Sequence, residues 1–362
     1  MNKERVNRVL DEMSRLGVEQ MVITDPYSIY YMAGHLELPW ERFWALYLRA
    51  DGKHKLYSNR LFSLDEVEDV EIVWYSDTED GSEMLAQEVM HDKVLGIDKG
   101  MQAKFLLRLM ELHAAADYKN ASVCVDDVRA SKDEEEKALM REASRVNDVS
   151  MEELKTRIKP GMTELELAGQ LEAIYKSHGA QGHSFEPLVG FGENAARGHH
   201  GSGDTVLKDG DCILIDVGCK KDHYCADMTR TFFFGEVSEA HRKVYETVLR
   251  AQLAAEAVIK PGIPLCDIDR AARSVIEEAG YGPYFTHRLG HFIGSEVHEA
   301  GDVSAANQRT AKPGMIFSIE PGIYLPDDVG VRIEDLVLVT EDGVEILNHY
   351  TKELQVIEKQ ES

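Results

Sequence analysis

The chain has 362 residues, 43% of them hydrophobic and 29% charged, enough to bury one large core or two moderate ones without staples. Forty Lys and Arg against 65 Asp and Glu leave a net charge of −25, a field that disfavours nucleic acid and anionic membrane surfaces. Five cysteines (124, 212, 219, 225 and 266) form no CxxC pair and read as reduced thiols of a cytosolic protein.

The first twenty residues read as a charged amphipathic helix with Val6, Val9, Leu10, Met13 and Leu16 on one face. They lack the apolar centre of a signal peptide, and no run in the chain is long enough to span a bilayer, so a cytoplasmic location is expected. Strands are predicted at 21–24, 45–49, 55–58, 71–75 and 93–97, helices at 82–91 and 103–112, with Asp25-Pro26 as a turn. This alternation implies a small α/β domain over residues 1–128 with a mixed sheet. The aromatic, polar stretch 34–42 reads as a surface loop. A long charged helix is predicted over 131–158, with Ser131 as N-cap and Glu134 closing a capping box. The second domain, 129–362, starts there.

That second domain echoes itself. Lys159-Pro160-Gly161 and Lys260-Pro261-Gly262 each open a helix, at an offset of 101 residues (260 − 159), which suits a duplicated half-domain. The apolar strand Cys212–Ile215 runs into Asp216, and eleven residues on (227 − 216) Asp227 interrupts a second β-prone run ending in Thr229–Phe234. With 218–222 read as a turn, the two runs pair as a hairpin. Buried carboxylates need a cation or strong donors; either Arg230 or Lys220 serves one of these aspartates, or a metal serves both.

The last third adds two more acids in strand settings, Glu320 after Met315–Ile319 and Glu334 within Val331–Val339, where alternation puts Arg332 and Glu334 on one face. His287 and His291 are four apart, as in zinc proteases, but Arg288 stands where that motif needs its catalytic Glu, and Gly290 and Gly294 argue against a helix. Four acids (Asp216, Asp227, Glu320, Glu334) with one glycine-flanked His291 form an oxygen-rich donor set suited to Mn²⁺, Fe²⁺, Co²⁺ or Zn²⁺. Four carboxylates suffice to bridge two ions.

These motifs, Ile215-Asp216-Val217-Gly218, Asp227–Phe232, His287-x-x-Gly290-His291-x-Ile293-Gly294, Ser318–Gly322 and Gly330–Asp335, resemble those of the M24 metallopeptidases, in the branch of Xaa-Pro dipeptidases (prolidases) and Xaa-Pro aminopeptidases. The resemblance covers essentially the whole chain. It implies a pita-bread catalytic domain behind a smaller creatinase-like α/β domain. It also implies metal ligands at Asp216, Asp227, His291, Glu320 and Glu334, substrate and transition-state contacts at His199 and His298, and an arginine, Arg332, beside the last ligand. A homodimer is the family expectation. The sequence departs from many relatives at Arg197-Gly198, Arg288, Phe292 and Ala300-Gly301, and Phe292 and Arg288 are expected to reshape the proline pocket. Trp40-Glu41-Arg42 resembles a loop that in bacterial prolidases approaches a neighbouring subunit's site.

The expected activity is hydrolysis of the Xaa-Pro bond of dipeptides by two divalent ions, Mn²⁺ first among them, through a metal-bridging hydroxide. Glu320 would shuttle the proton, and His199 and His298 would steady the oxyanion or the substrate ends. Arg309, between His298 and Glu320, is the candidate for the proline carboxylate, unless it is an exposed loop arginine. The rivals are an aminopeptidase acting on longer Xaa-Pro peptides, and an inactive peptide-binding relative that would have lost its ligands.

Overall fold

The computed structural model describes residues 1–64, 66–198 and 200–358. The chain divides into two compact units, Met1–Arg129 and Ala130–Ser362.

The first unit is built on a six-stranded mixed sheet in the order Glu71–Tyr75, Lys55–Asn59, Ala45–Arg49, Gln20–Ile23, Val94–Ile97, Asp117–Asn120. The helix Lys3–Leu16 buries Val6, Val9 and Met13 against it, while Leu10 and Leu16 are half-buried. Asp25-Pro26 is not a free turn: Asp25 caps the helix Pro26–Ala33, accepting from the Ser28 N–H at 2.8 Å, with proline at the first helical position. The 34–42 stretch is a loop with Trp40 exposed.

In the second unit the long helix runs over Glu134–Lys155, starting later than Ser131. An isolated bridge from Ser131 to Met315, with the Lys132 N–H donating to the Gly314 carbonyl, holds 131–132 extended. Asp133 therefore becomes the N-cap and closes the capping box with Glu136. The helix expected after Gly161 is two pieces, Glu164–Ala168 and Leu171–Ser177. Its counterpart after Gly262 is one helix, Leu265–Glu278, packed on Glu239–Val258.

A four-stranded sheet orders Gln355–Ile357, Met228–Phe234, Cys212–Val217 and Leu188–Phe191. A five-stranded sheet orders Glu299–Val303, Gly290–Phe292, Ile316–Ile319, Asp335–Val339 and Val344–Ile346. The halves repeat in detail. Lys208 and Lys312 each begin a turn whose glycine, Gly210 or Gly314, takes φ of +85° or +87°. Each turn feeds a strand that delivers an acid eight residues after the lysine, Asp216 (216 − 208) and Glu320 (320 − 312).

Two departures matter for the site. Residues 219–221 are a strand rather than a turn, and the chain reverses at Asp222-His223, both with positive φ. The run Val331–Val339 is also broken: Gly330–Arg332 pairs with Gly322–Tyr324, and Asp335–Val339 joins the five-stranded sheet. Ile333 and Glu334 lie at the crossing. Continuous alternation therefore does not set their faces.

Candidate metal centre

Alternation in the four-stranded sheet sorts the chemistry. Ile213, Ile215 and Val217 enter the core under the 134–177 helices, and Cys212 and Leu214 enter the other core, on the face that also carries Asp216. Asp216 lies opposite Thr229 in the antiparallel register. Its Oδ2 accepts from Arg332 Nη2 at 2.6 Å, and its buried Oδ1 has no hydrogen-bond partner among the described residues.

Asp227 precedes the Met228–Phe234 strand and is 4% exposed. Its Oδ1 is also buried without a partner, and its Oδ2 lies 3.4 Å from His291 Nε2. His291 stands on the short strand Gly290–Phe292, whose glycine is required by contact: a Cβ at 290 would fall 1.8 Å from the Ser318 carbonyl oxygen. The His291 main-chain N–H donates to Ser318 Oγ (3.0 Å), and that hydroxyl serves Glu320 Oε1 (3.1 Å), itself 3.7 Å from His291 Nε2. Nδ1 of His291 lies 3.2 Å from the Phe292 carbonyl. A proton on Nδ1 satisfies that carbonyl and turns a bare Nε2 lone pair toward the acids. Glu334, 2% exposed, takes the Thr229 hydroxyl on Oε2 at 2.6 Å.

Potential ligand atoms of Asp227, His291 and Glu334 all lie within 4.8 Å of one another. Burial first, then the neighbouring Asp216 and Glu320 charges, pushes the Asp227 carboxyl well above the usual range. Glu334 is raised well above it by burial, then by Asp227, Glu320 and Asp216. Burial also raises Glu320 and lowers His291, favouring the neutral imidazole. Four carboxylates face one guanidinium, Arg332, leaving a formal −3 (1 − 4). A lone pair and two orphaned oxygens directed into a negative, buried site fit divalent cations, and among the described residues Arg332 is the one cation bonded to these acids.

Residues 138–341 match metallopeptidase family M24, and residues 5–131 match the Creatinase/Prolidase N-terminal domain. The chain belongs to metallopeptidase family M24. Over 355 residues it is 38% identical to an uncharacterized peptidase of Staphylococcus aureus (strain USA300), covering 96% of this chain and 99% of that one. A dipeptidase from Pyrococcus horikoshii OT3 has a similar structure (TM-score 0.91, 34% identity, 98% and 100% of the two chains). An Xaa-Pro dipeptidase from Bacillus anthracis also matches at TM-score 0.91, with 29% identity over 98% and 99%. The chain is thus a peptidase of a metal-dependent family on the prolidase branch, a creatinase-type N-terminal domain being followed in sequence by the pita-bread domain.

Around the M24 cluster, Arg332 is wholly engaged: Nε donates to Thr229 Oγ1 (2.9 Å), Nη1 to Tyr324 OH (3.0 Å) and Nη2 to Asp216. Tyr324 in turn meets His287 Nε2 at 2.9 Å. Reading by motif missed Thr229, Ser318 and Tyr324. The first two were signalled by small hydroxyls two residues from an acid, Tyr324 by nothing in the sequence. Arg230 does not pair with either aspartate; it meets Asp335 at 2.7 Å.

His298 is exposed, its ring edge-on to His291 with centroids 4.1 Å apart. His199 lies outside the described residues. Arg309 is exposed, its carbonyl accepting from the Leu265 N–H. The expectation for Phe292 is overturned. It alternates away from His291 into the core, fully buried, its ring 5.5 Å from that of Phe317, so it offers no exposed surface to a substrate. Arg288 is exposed.

Proposed function

We propose that this M24 peptidase hydrolyses the Xaa-Pro bond of dipeptides using two divalent ions, Mn²⁺ being the first choice. The observation that carries the reading is the buried Asp227–His291–Glu334 cluster with its orphaned oxygens. Asp216 and Glu320 would complete the donor set, and the excess of carboxylates over cations supports two ions rather than one. Bound there, the ions supply Lewis acidity, acidifying water and polarising a carbonyl.

The remaining chemistry belongs to the chain. Glu320, raised by burial and steadied by Ser318, is suited to take up and return a proton. Arg332 fixes the Asp216 rotamer and, through Thr229, that of Glu334. His298 and His199 would hold the scissile group, and Arg309 is kept as the candidate for the proline carboxylate. The acidic charge and the five buried free cysteines support a cytoplasmic enzyme, which we take to be a homodimer without nucleic-acid or membrane partners. No helix among the described residues is long and apolar enough to cross a membrane.

The test is proline release from Leu-Pro, and cleavage of Leu-Pro-Gly, by Mn²⁺-reconstituted protein, with Asp227→Asn as control. Turnover of Leu-Pro alone, lost in the control, is the expected result. Cleavage of the tripeptide moves the activity to an Xaa-Pro aminopeptidase. No turnover of either with metal bound removes the proline claim, and no metal bound at all leaves an inactive relative.

A further inference from the structure

Behind the cluster lies a second set of buried charges that the proposed chemistry does not use. The Arg230 guanidinium is 1% exposed and the Asp335 carboxylate fully buried. Nη1 of Arg230 donates to the main-chain carbonyls of Thr229 (2.9 Å) and Glu334 (2.6 Å). Its Nε donates to the carbonyl of Thr351 (3.0 Å), and its Nη2 to that of Tyr350 (2.7 Å) and to Asp335 Oδ1 (2.7 Å). The other Asp335 oxygen takes Lys352 Nζ at 2.6 Å, and the same ammonium lies 2.7 and 2.9 Å from the Glu256 oxygens. Asn348, four residues before Lys352, accepts from the Leu336 N–H (2.6 Å) and donates to the Asp227 carbonyl (3.4 Å). Segment 348–352 is therefore tied to the Asp227 main chain through Asn348 and to that of Glu334 through Arg230, and the ion chain balances, two cations against two anions.

Resting on the reading of the cluster as a metal site, we infer that Arg230 and Lys352 are positioning residues of that centre. The buried chain Arg230–Asp335–Lys352–Glu256 fixes the 334–335 peptide, so metal affinity depends on a lysine whose ammonium contacts Asp335 and Glu256. Without Lys352, the buried Asp335 and Glu256 carboxylates lose the ammonium between them, with Arg230 left on one oxygen of Asp335, and like charges in that setting separate. That separation loosens Asp335, and Glu334 is its immediate neighbour in sequence.

Arg230 is too deeply buried for a clean test, so the perturbation belongs at Lys352, whose side chain is 19% exposed. Metal-stripped full-length parent, Lys352→Met, Lys352→Met/Glu256→Gln and Glu256→Gln are titrated with MnCl₂ by calorimetry, with hydrogen exchange of the 334–336 amides followed without metal. Lys352→Met is expected to weaken Mn²⁺ binding about tenfold or more, the usual effect of losing a group that orients a ligand, and to speed exchange at 334–336. Removing the opposing charge in the double variant is expected to restore most of both. Parent-like affinity in Lys352→Met, even with a lower melting temperature, overturns the inference, as does a double variant no better than the single one. A parent that binds no Mn²⁺ instead overturns the metal reading beneath it.

Discussion

Asp227→Asn should stabilise the metal-free protein at neutral pH while abolishing the stabilisation that Mn²⁺ gives the parent. Asp227 is buried, one oxygen has no partner, and burial followed by Asp216 and Glu320 holds its carboxyl well above the ordinary range. A carboxyl raised on folding binds its proton more tightly in the folded state. Its contribution to stability is therefore complete below the unfolded value of about 4 and is lost as pH rises through the folded one. Glu334 and Glu320 shift in the same direction, so the metal-free parent should weaken as pH rises above about 4. Asparagine deletes one contribution to that slope. The metal effect follows from mass action. Free ion at about a hundred times Kd adds about 2.7 kcal/mol. For a unit of 233 residues (362 − 129) this corresponds to a rise in Tm of about 5–10 °C. Scanning calorimetry of parent and variant at pH 5.5 and 8, in EDTA and then in Mn²⁺, reads both effects. A variant less stable than the parent in EDTA at pH 8, or a parent unmoved by saturating Mn²⁺, would refute the argument from uncompensated charge.

Phe292→Ala removes a fully buried ring and should cost about 3–5 kcal/mol in urea unfolding while leaving the preference between Leu-Pro and Leu-Pro-Gly unchanged. A changed preference would restore Phe292 to the pocket. Gly290→Ala places a methyl 1.8 Å from a carbonyl oxygen and should abolish Mn²⁺ binding, with loss of native near-ultraviolet dichroism; parent-like binding contradicts the packing of Gly290–Phe292 on Ile316–Ile319. Thr229→Val keeps the shape but removes the donor to Glu334 and the acceptor for Arg332 Nε. A loss of about 1.5–3 kcal/mol, read as roughly ten- to a hundredfold in Mn²⁺ affinity by titration, is expected. His298→Ala should lower kcat/KM for Leu-Pro with Mn²⁺ affinity intact; a parallel fall in affinity would make it part of the metal centre instead.

The sequence by itself carried the acids and their settings, because an ionised side chain inside a β-prone apolar run is improbable without a compensating cation, and four such positions recur here. It also carried the echo between halves, since Lys-Pro-Gly turns that open helices are local features. The start of the 134–155 helix was not local. Asp133 replaces Ser131 as cap because residues 131–132 pair with 314–315, nearly two hundred positions away. Which cation serves which acid was likewise a tertiary decision. Arg230 and Lys220 were the sequence's candidates for an aspartate, yet Arg230 lies on the strand face opposite Asp216 and meets Asp335, while Asp216 takes the guanidinium of Arg332. Phe292 shows the same limit: motif comparison marks it as a neighbour of His291, and alternation on a short strand sends it to the other side. Identity and local pattern fix what a residue can do. Only the packing of strands from both halves fixes what it touches.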